Sequence, residues 1–533
     1  MDDASRPSDG RGWRILLVNP PYLTATSMQG VGHQVPLGLL LVGGALIDAG
    51  HTVALLDAEA LHLDDAAIVA HAARFAPDLV MTGHAGSTPA HPVCLRMLRA
   101  LRAALPAVKT VYGGVYPTYH AAEILRDAPW VDYVVRGAGE EAAANLVCAL
   151  ARGEEPSGIA GMAGMAGIAA RRDGQPCLGP EAPLTRRLDD LRVGWELIED
   201  WDRYRCFGVG RAAIVQFSRG CPHRCSYCGQ YQFWVHWRHR TPRLLADEIE
   251  WLYRAHDVRF VTLADENPTT SRKLWYELLS SLASRRLPVQ LFATIRASDV
   301  VRDADLLPLY RRAGLACILM GIETTDPETL RSIRKGSTTH QDYTAVRLLR
   351  RHGILSMLGH VVGFDEETPR TYWRALRQIV AYDPDLLNAM YLTPHGWSSW
   401  TRENPRRLVI QTDLGKWDYR HQVLASRHLR PWQVFALVKL TEIVVHCRPR
   451  ALRRLLRPRD RALGALLWWT FRRSARVWFA EVRDFLLATR FERRPPTLAA
   501  WFRDGRHAPS ERPAPLPPVP APALHPSLRD AAG

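Results

Sequence analysis

Over residues 14–150 short apolar runs alternate with segments of helix length. The runs at residues 14–19, 52–56, 79–83, 108–112 and 132–135 are apolar at consecutive positions, not at every second one. Strands covered on both faces have this pattern, and helix-length connections between them predict a doubly wound parallel α/β sheet. From Cys206 to about Trp400 the alternation resumes, with expected strands at 212–217, 260–265, 290–296, 317–323, 355–364 and 386–393. Six strands with crossover helices predict a partial (β/α)6 barrel, because a full eight-fold barrel usually takes about 250 residues.

The remaining segments read differently. Residues 1–13 form a polar N-terminal tail, and 151–205 read as a connector in which the small-residue repeat 158–168 suggests a strand or hairpin, followed by a turn at 172–176. Residues 401–505 are mainly helical and basic, and 506–533 form a Pro- and Ala-rich tail expected to be disordered. The expected domains are thus 14–150, 206–400 and 401–505.

Composition narrows the partners. The formal charge of +15 fits an anionic small molecule, an acidic membrane surface or nucleic acid. The arginines from Arg448 to Arg461 stand beside Trp468 and Trp469, a combination suited to a solvated face or an anionic membrane interface. No nucleic-acid recognition motif accompanies the charge, so no nucleic-acid partner is expected. The longest apolar runs, 35–47 and 463–470, fall short of the roughly 20 residues that cross a membrane. The N-terminus carries no apolar signal region. The expected location is the cytoplasm, with at most peripheral contact to the inner membrane. Six scattered cysteines, Cys94, Cys148, Cys177, Cys206, Cys317 and Cys447, suit reduced thiols.

Three other cysteines stand apart from these. Cys221, Cys225 and Cys228 have C-x3-C-x2-C spacing on a turn after the first barrel strand. With 9 Cys in 533 residues, such a triple arises by chance roughly 0.003 times per chain. Three thiolates without a fourth suit a [4Fe–4S] cluster held on three irons, the fourth iron open. A structural zinc site needs a fourth donor, for which His223 is the local candidate. Polar or glycine-rich residues end many of the expected strands: Asn19, Gly83 to Thr88, Gly113-Gly114, Asp265-Glu266, Arg296, Gly321 to Glu323, and Gly359 to Gly363. Ligands of open α/β sheets and barrels lie beyond the carboxyl ends of strands. These glycines read either as room for a bulky ligand or as tight loops.

The triple, with Tyr227 just before its third cysteine, resembles the radical S-adenosylmethionine (SAM) enzymes. The resemblance implies that Cys221, Cys225 and Cys228 hold the cluster and that SAM chelates the open iron. By motif position, Asp265 or Glu266 would meet the SAM amino group, Glu323 the ribose and Gly363 the adenine, with Tyr227 also beside SAM. The second-strand motif here is Asp-Glu-Asn-Pro in place of the common Gly-Gly-Glu-Pro. The phrases LLVNPPY, PLGLLLVGGAL, GHTVALLDA and GGVYPT resemble a flavodoxin-like cobalamin-binding domain, implying cobalamin near Asn19, Ser87, Gly113 and Gly114. No Asp-x-His-x-x-Gly occurs, so no axial cobalt ligand is assigned.

To about residue 460 the chain is most similar to the anaerobic magnesium-protoporphyrin IX monomethyl ester oxidative cyclases of bacteriochlorophyll biosynthesis. The phrases FW-x-x-W-R-H-R, LADENPTT, MGIETTDPE, GSTT, NAMYLTP and WDYRHQ carry this likeness. It implies a Mg-porphyrin substrate, oxygen-independent closure of the isocyclic ring with oxygen from water, and an electron donor such as a ferredoxin or flavodoxin. The alternative on the same architecture is a cobalamin-dependent radical SAM methyltransferase acting on a tetrapyrrole or another lipophilic substrate. The aromatic-basic segment 231–240 reads either as packing with a solvated edge or as a surface that stacks on a macrocycle. No residue is assigned to the final oxidation of the substrate radical.

Overall fold

The computed structural model describes residues 12–22, 32–84, 88–154, 156, 164–185, 187–230, 233–364, 367–458 and 460–503. Its first sheet contains β1 (Arg14–Asn19), β2 (Thr52–Asp57), β3 (Leu79–His84), β4 (Lys109–Gly114), β5 (Tyr133–Val135), β6 (Ile168–Arg172) and β7 (Gln175–Leu178), in the order β2-β1-β3-β4-β5-β6-β7. The unbroken apolar runs are explained by two-sided burial. Ile15 and Leu17 pack under helices Leu37–Asp48 and Gly139–Ala151, while Leu16 and Val18 pack under Asp65–Phe75 and Ala90–Ala104. The first five strands are parallel in flavodoxin-like order, with the switch point between β1 and β3.

The hairpin β6–β7 then extends this sheet antiparallel to β5. Its turn falls where expected, at Asp173-Gly174, both with positive φ. Residues 157–163 of the small-residue repeat lie outside the described residues.

The second sheet contains β8 (Arg205–Cys206), β9 (Gly210–Val215), β12 (Val258–Leu263), β13 (Gln290–Thr294), β14 (Leu315–Glu323), β15 (Leu355–Val362) and β16 (Leu386–Tyr391), in the order β16-β15-β14-β13-β12-β9-β8. A two-stranded ribbon, β10 (Ser218–Arg219) with β11 (Arg238–His239), flanks the loop after β9. Six parallel strands, β9 and β12 to β16, form the partial barrel, open at β16. Val261, Leu263, Ile318, Met320 and Leu358 face the outer helices. Phe260, Cys317, Leu355 and Met357 pack instead with Phe207, Leu463, Leu466 and Leu467, so helix Arg461–Leu487 plugs the base of the barrel. The carboxyl end of the inner face lies toward the first domain.

Beyond the barrel lie helices Pro431–Cys447, Pro449–Leu456 and Arg461–Leu487; a buried charge network joins the first to the third, Glu481 pairing with Arg420 and Lys439, and Lys439 with Glu442. Among the described residues no helix is long and apolar enough to cross a membrane.

The carboxyl end of the first sheet is set against the turn that carries the three cysteines. Glu140, in the first turn of helix Gly139–Ala151, forms a buried ion pair with Arg219. Tyr204 Oη donates to Asp57 at 2.9 Å, and Gln34 Nε2 donates to Thr262 Oγ1 inside the barrel at 3.2 Å.

Candidate functional site

The turn is built by the carboxylates that end the neighbouring strand. Asp265 accepts from the Phe217 amide at 3.0 Å and from both the amide and hydroxyl of Ser218. Burial pushes its carboxyl up to about 7. Glu266 accepts from the Gly220 amide at 3.1 Å and from the Trp234 indole. Gly220 has φ +94°, and a Cβ there would lie 2.5 Å from the His236 carbonyl oxygen, so only glycine turns this corner.

Beyond Gly220 the three thiols converge. The Cys221 thiol is raised to about 11, chiefly by burial, with the Cys228 and Cys225 sulfurs adding and a backbone hydrogen bond from His223 and the charge of Arg296 opposing. Three mutually felt thiols without a fourth protein thiol are the donor set of a cluster with one open iron, and they fit it. Among the described residues no group of three or more His, Cys, Asp or Glu could hold a single metal ion. His223, the alternative fourth donor for zinc, is held neutral by burial, its pKa lowered to about 4.

The loop is pinned from outside by the Ser226 amide donating to the Ile333 carbonyl at 2.9 Å and the Trp400 amide to the Ser226 carbonyl at 2.8 Å. That contact brings Lys335 over the turn. Its Nζ lies 2.6 Å from Glu323 Oε1; burial would lower its pKa, but Glu323 and then Cys225 outweigh burial and keep it charged. Glu323 has left-handed φ of 58° at the end of β14 and also accepts a hydrogen bond from Tyr227. Next to it in register, His360 is buried and neutral, its pKa lowered to about 4. His360, Glu367 and Arg407 share the wall of a cavity of about 510 Å³. Gly363 needs its φ of +110°; its amide donates to both oxygens of Glu367 at 2.9 and 2.8 Å, and its carbonyl accepts from Arg407.

At the carboxyl end of the first sheet, Asn19 Nδ2 donates to Asp57 at 2.8 Å and to Glu59 at 3.3 Å. The strand-end glycines divide into two kinds. A Cβ on Gly83 would lie 2.8 Å from the Gly113 carbonyl oxygen, and one on Gly114 2.8 Å from that of His84, so the strands' own approach demands both. A Cβ on Gly113 meets nothing closer than Val135 at 3.5 Å. The protein's packing therefore gives no reason for that glycine, and a bare backbone there fits a bulky ligand such as a corrin. Ser87 lies outside the described residues. The domain histidines make hydrogen bonds of their own: His91 with Tyr112 at 3.3 Å and His120 with Glu123 at 2.9 Å. Burial lowers His120 to about 3 and raises Glu123 to about 8, so this is a neutral bond in which the carboxyl donates to the imidazole.

Trp397 joins the two halves of the site. Its indole donates to the Gly229 carbonyl at 3.0 Å, beside Cys228, while its ring stacks on Tyr119 of the first domain at 4.5 Å and on His395 at 4.9 Å. His395 Nε2 in turn meets Tyr419 Oη at 2.7 Å. The segment 231–240 takes the packing role. Phe233 enters the core of the first domain, Arg219 lies over the Trp234 ring at 4.7 Å, and Arg240 pairs with Glu248. Its first two residues, Tyr231 and Gln232, lie outside the described residues. Lys335, Glu367, His395 and Trp397 carry no motif of their own; the one signal that pointed their way is that Lys335 directly precedes GSTT and Trp397 sits in the aromatic run after NAMYLTP.

Comparison with known proteins recognises two regions of the chain. Residues 215–379 match the radical SAM superfamily and residues 25–147 the B12 binding domain. The chain is 45% identical over 489 residues to an anaerobic magnesium-protoporphyrin IX monomethyl ester cyclase of Synechocystis sp., covering 92% of this chain and 97% of that one. It is 34% identical to a protein of the same name from Rubrivivax gelatinosus, over 73% of this chain and 70% of that one. In fold it is similar to the radical SAM methyltransferase TsrM of Kitasatospora setae, solved with cobalamin and a [4Fe–4S] cluster, with TM-score 0.65 and 18% identity over 89% of this chain and 100% of that one.

Proposed function

The chain belongs to the family of anaerobic magnesium-protoporphyrin IX monomethyl ester cyclases, and from that membership we infer that it closes the isocyclic ring of this tetrapyrrole by oxidation, in bacteriochlorophyll biosynthesis. The observation that carries the inference is the extent of the 45% identity, which takes in 92% of the chain and so both cofactor domains and the region behind them. The enzyme uses a [4Fe–4S] cluster, SAM and cobalamin. When bound, these supply one-electron cleavage of SAM and the redox capacity for taking a methylene to a ketone.

The chain's own residues hold and shield that chemistry. Cys221, Cys225 and Cys228 ligate three irons. Asp265 spends its oxygens on Phe217 and Ser218, and Glu266 accepts from Gly220 and Trp234, so one of these two buried carboxylates meets the SAM amino group. Glu323, oriented by Lys335 and Tyr227, receives the ribose, and Gly363 offers the adenine a surface without a side chain. Asn19, Ser87, Gly113 and Gly114 border the cobalamin, Gly113 by close backbone approach. Buried Trp397 and Trp400 roof the turn and keep water from it.

An acidic ferredoxin or flavodoxin is the electron donor suited to a chain of charge +15. The C-terminal helices, with exposed Leu456, Trp468 and Phe479 among arginines, suit peripheral contact with an anionic membrane. Anaerobic incubation with magnesium-protoporphyrin IX monomethyl ester, SAM, cobalamin and a reductant tests the reading. The product should gain one oxygen and lose four hydrogens; a product heavier by one methyl group would assign the chain to the methyltransferases instead.

A further inference from the structure

Between the edge strand β16 and the helices Pro431–Cys447, Pro449–Leu456 and Arg461–Leu487 lies a cavity of about 480 Å³. None of the residues proposed to hold the cluster, SAM or cobalamin lines it. Its wall is mostly hydrocarbon and aromatic ring, from Leu386, Leu467, Phe471, Val477 and Phe479 among others. The charged groups and the imidazole in the wall are already engaged: Arg454 with Asp383 and Asp385, Arg420 with Glu481, Glu442 with Lys439, and His446 through both nitrogens, to the Leu387 amide and the Glu442 carbonyl.

One buried donor of the wall is not engaged. Trp478 is in the wall, and its indole N–H is buried with no acceptor among the described residues. A buried donor left unmet is costly, so a ligand that brings one acceptor into an otherwise apolar space is favoured there.

The rim supplies the rest. Ile443 and Phe479 in the wall are 44% and 68% exposed, and the apolar lip runs on to Leu440 and Leu486, 37% and 68% exposed. On the same helices Arg450, Arg453, Arg472, Arg476 and Arg483 are exposed, and the spacing of the last three from Phe479 puts them on its face of helix Arg461–Leu487. An apolar hole with one donor, an apolar lip and a cationic rim matches an acyl chain, its ester carbonyl and an anionic headgroup. A magnesium tetrapyrrole would ask instead for an axial donor and a free cation inside, and the imidazole and guanidinium groups there are taken. We propose that this cavity binds one acyl chain of an anionic glycerophospholipid drawn from a membrane surface.

The test uses the full-length chain with its cluster in place. Monomeric dioctanoyl phosphatidylglycerol is titrated by tryptophan fluorescence into the wild type, Ala475→Trp, which fills the cavity, and Trp478→Phe, which keeps the ring and deletes the donor. Binding should weaken at least about tenfold in Ala475→Trp and about fivefold in Trp478→Phe, with the visible absorbance of the cluster unchanged. Vesicles of phosphatidylglycerol brominated along the acyl chain should quench wild-type tryptophan fluorescence, and phosphatidylcholine vesicles should quench it less. Should Ala475→Trp fail to fold, Trp478→Phe decides alone. Equal affinity in the folded variants and the wild type, or release of the lipid by magnesium-protoporphyrin monomethyl ester in direct competition, would overturn the proposal.

Discussion

Cys225 and Cys317 are the same side chain in opposite surroundings. Cys225 sits on a half-buried turn within electrostatic reach of Cys221, whereas Cys317 is fully buried among the apolar side chains at the base of the barrel, where burial drives its thiol pKa up. Cys225→Ala should abolish both the cluster absorbance and SAM cleavage, and Cys317→Ala should leave both in place. Loss of the cluster in Cys317→Ala would show the ligands to be misassigned. The glycines allow a similar contrast. Gly113→Ala should weaken cobalamin binding at least about tenfold with little change in melting temperature, while Gly114→Ala, at φ +112° and facing the His84 carbonyl, should cost about 1–3 kcal/mol of stability.

Asp342 makes a prediction in pH. Both its oxygens are buried without a hydrogen-bond partner among the described residues, and burial pushes its carboxyl up to about 7, Glu323 adding and Lys335 and Arg296 opposing. The folded chain therefore keeps a proton that the unfolded chain releases near pH ~3.9. Its contribution to stability is whole below that value and is lost as pH rises through 7. Asp342→Asn should thus gain on the wild type as pH rises from about 4 to about 7, by ~4 kcal/mol in all and with no further gain above that, in denaturant titrations. A difference that does not vary with pH would refute the assignment. At this scale the sequence made the thiols and strand-end acids legible because each lies at a fixed offset from a strand. Lys335 and Trp397 were not, because a cation and an indole look alike anywhere in a chain. Only the docking of Ser226 on Ile333, and of Gly229 on a ring 168 residues away, gives these two their place.

At the scale of elements, two contacts hold the turn against the first domain. The Arg219–Glu140 pair is buried on both sides, so Glu140→Gln leaves a guanidinium without its charge partner and should cost about 3 kcal/mol. Trp397→Ala should cost a similar ~3 kcal/mol and loosen the cluster loop, whereas Trp397→Phe, which preserves the stacking on Tyr119, should cost less than half of that in the same denaturant titration. The strands were readable because two-sided burial writes an unbroken apolar run. The role of 231–240 was not readable, since aromatic and basic residues suit a macrocycle as well as they suit packing. The structure spends Phe233, Trp234 and Arg240 on packing and pairing because the loop is wedged between the two domains.

For the whole molecule, the two sheets meet through the carboxyl end of the first, where both cofactor sites are expected from the topology of open α/β sheets. The base of the barrel is closed by helix Arg461–Leu487, and on the account proposed the substrate and cofactors share the space between the domains. Cobalamin binds only the folded chain on this account, and at a concentration about 100 times its Kd it should add about 2.7 kcal/mol of stability. The most direct test of the central claim is the anaerobic reaction in oxygen-labelled water, with wild type and Cys225→Ala in parallel. The wild type should form 5′-deoxyadenosine and a five-ringed magnesium tetrapyrrole whose new keto oxygen carries the label, and Cys225→Ala should form neither. A methylated tetrapyrrole without the fifth ring, or ring closure that survives loss of Cys225, would contradict the account.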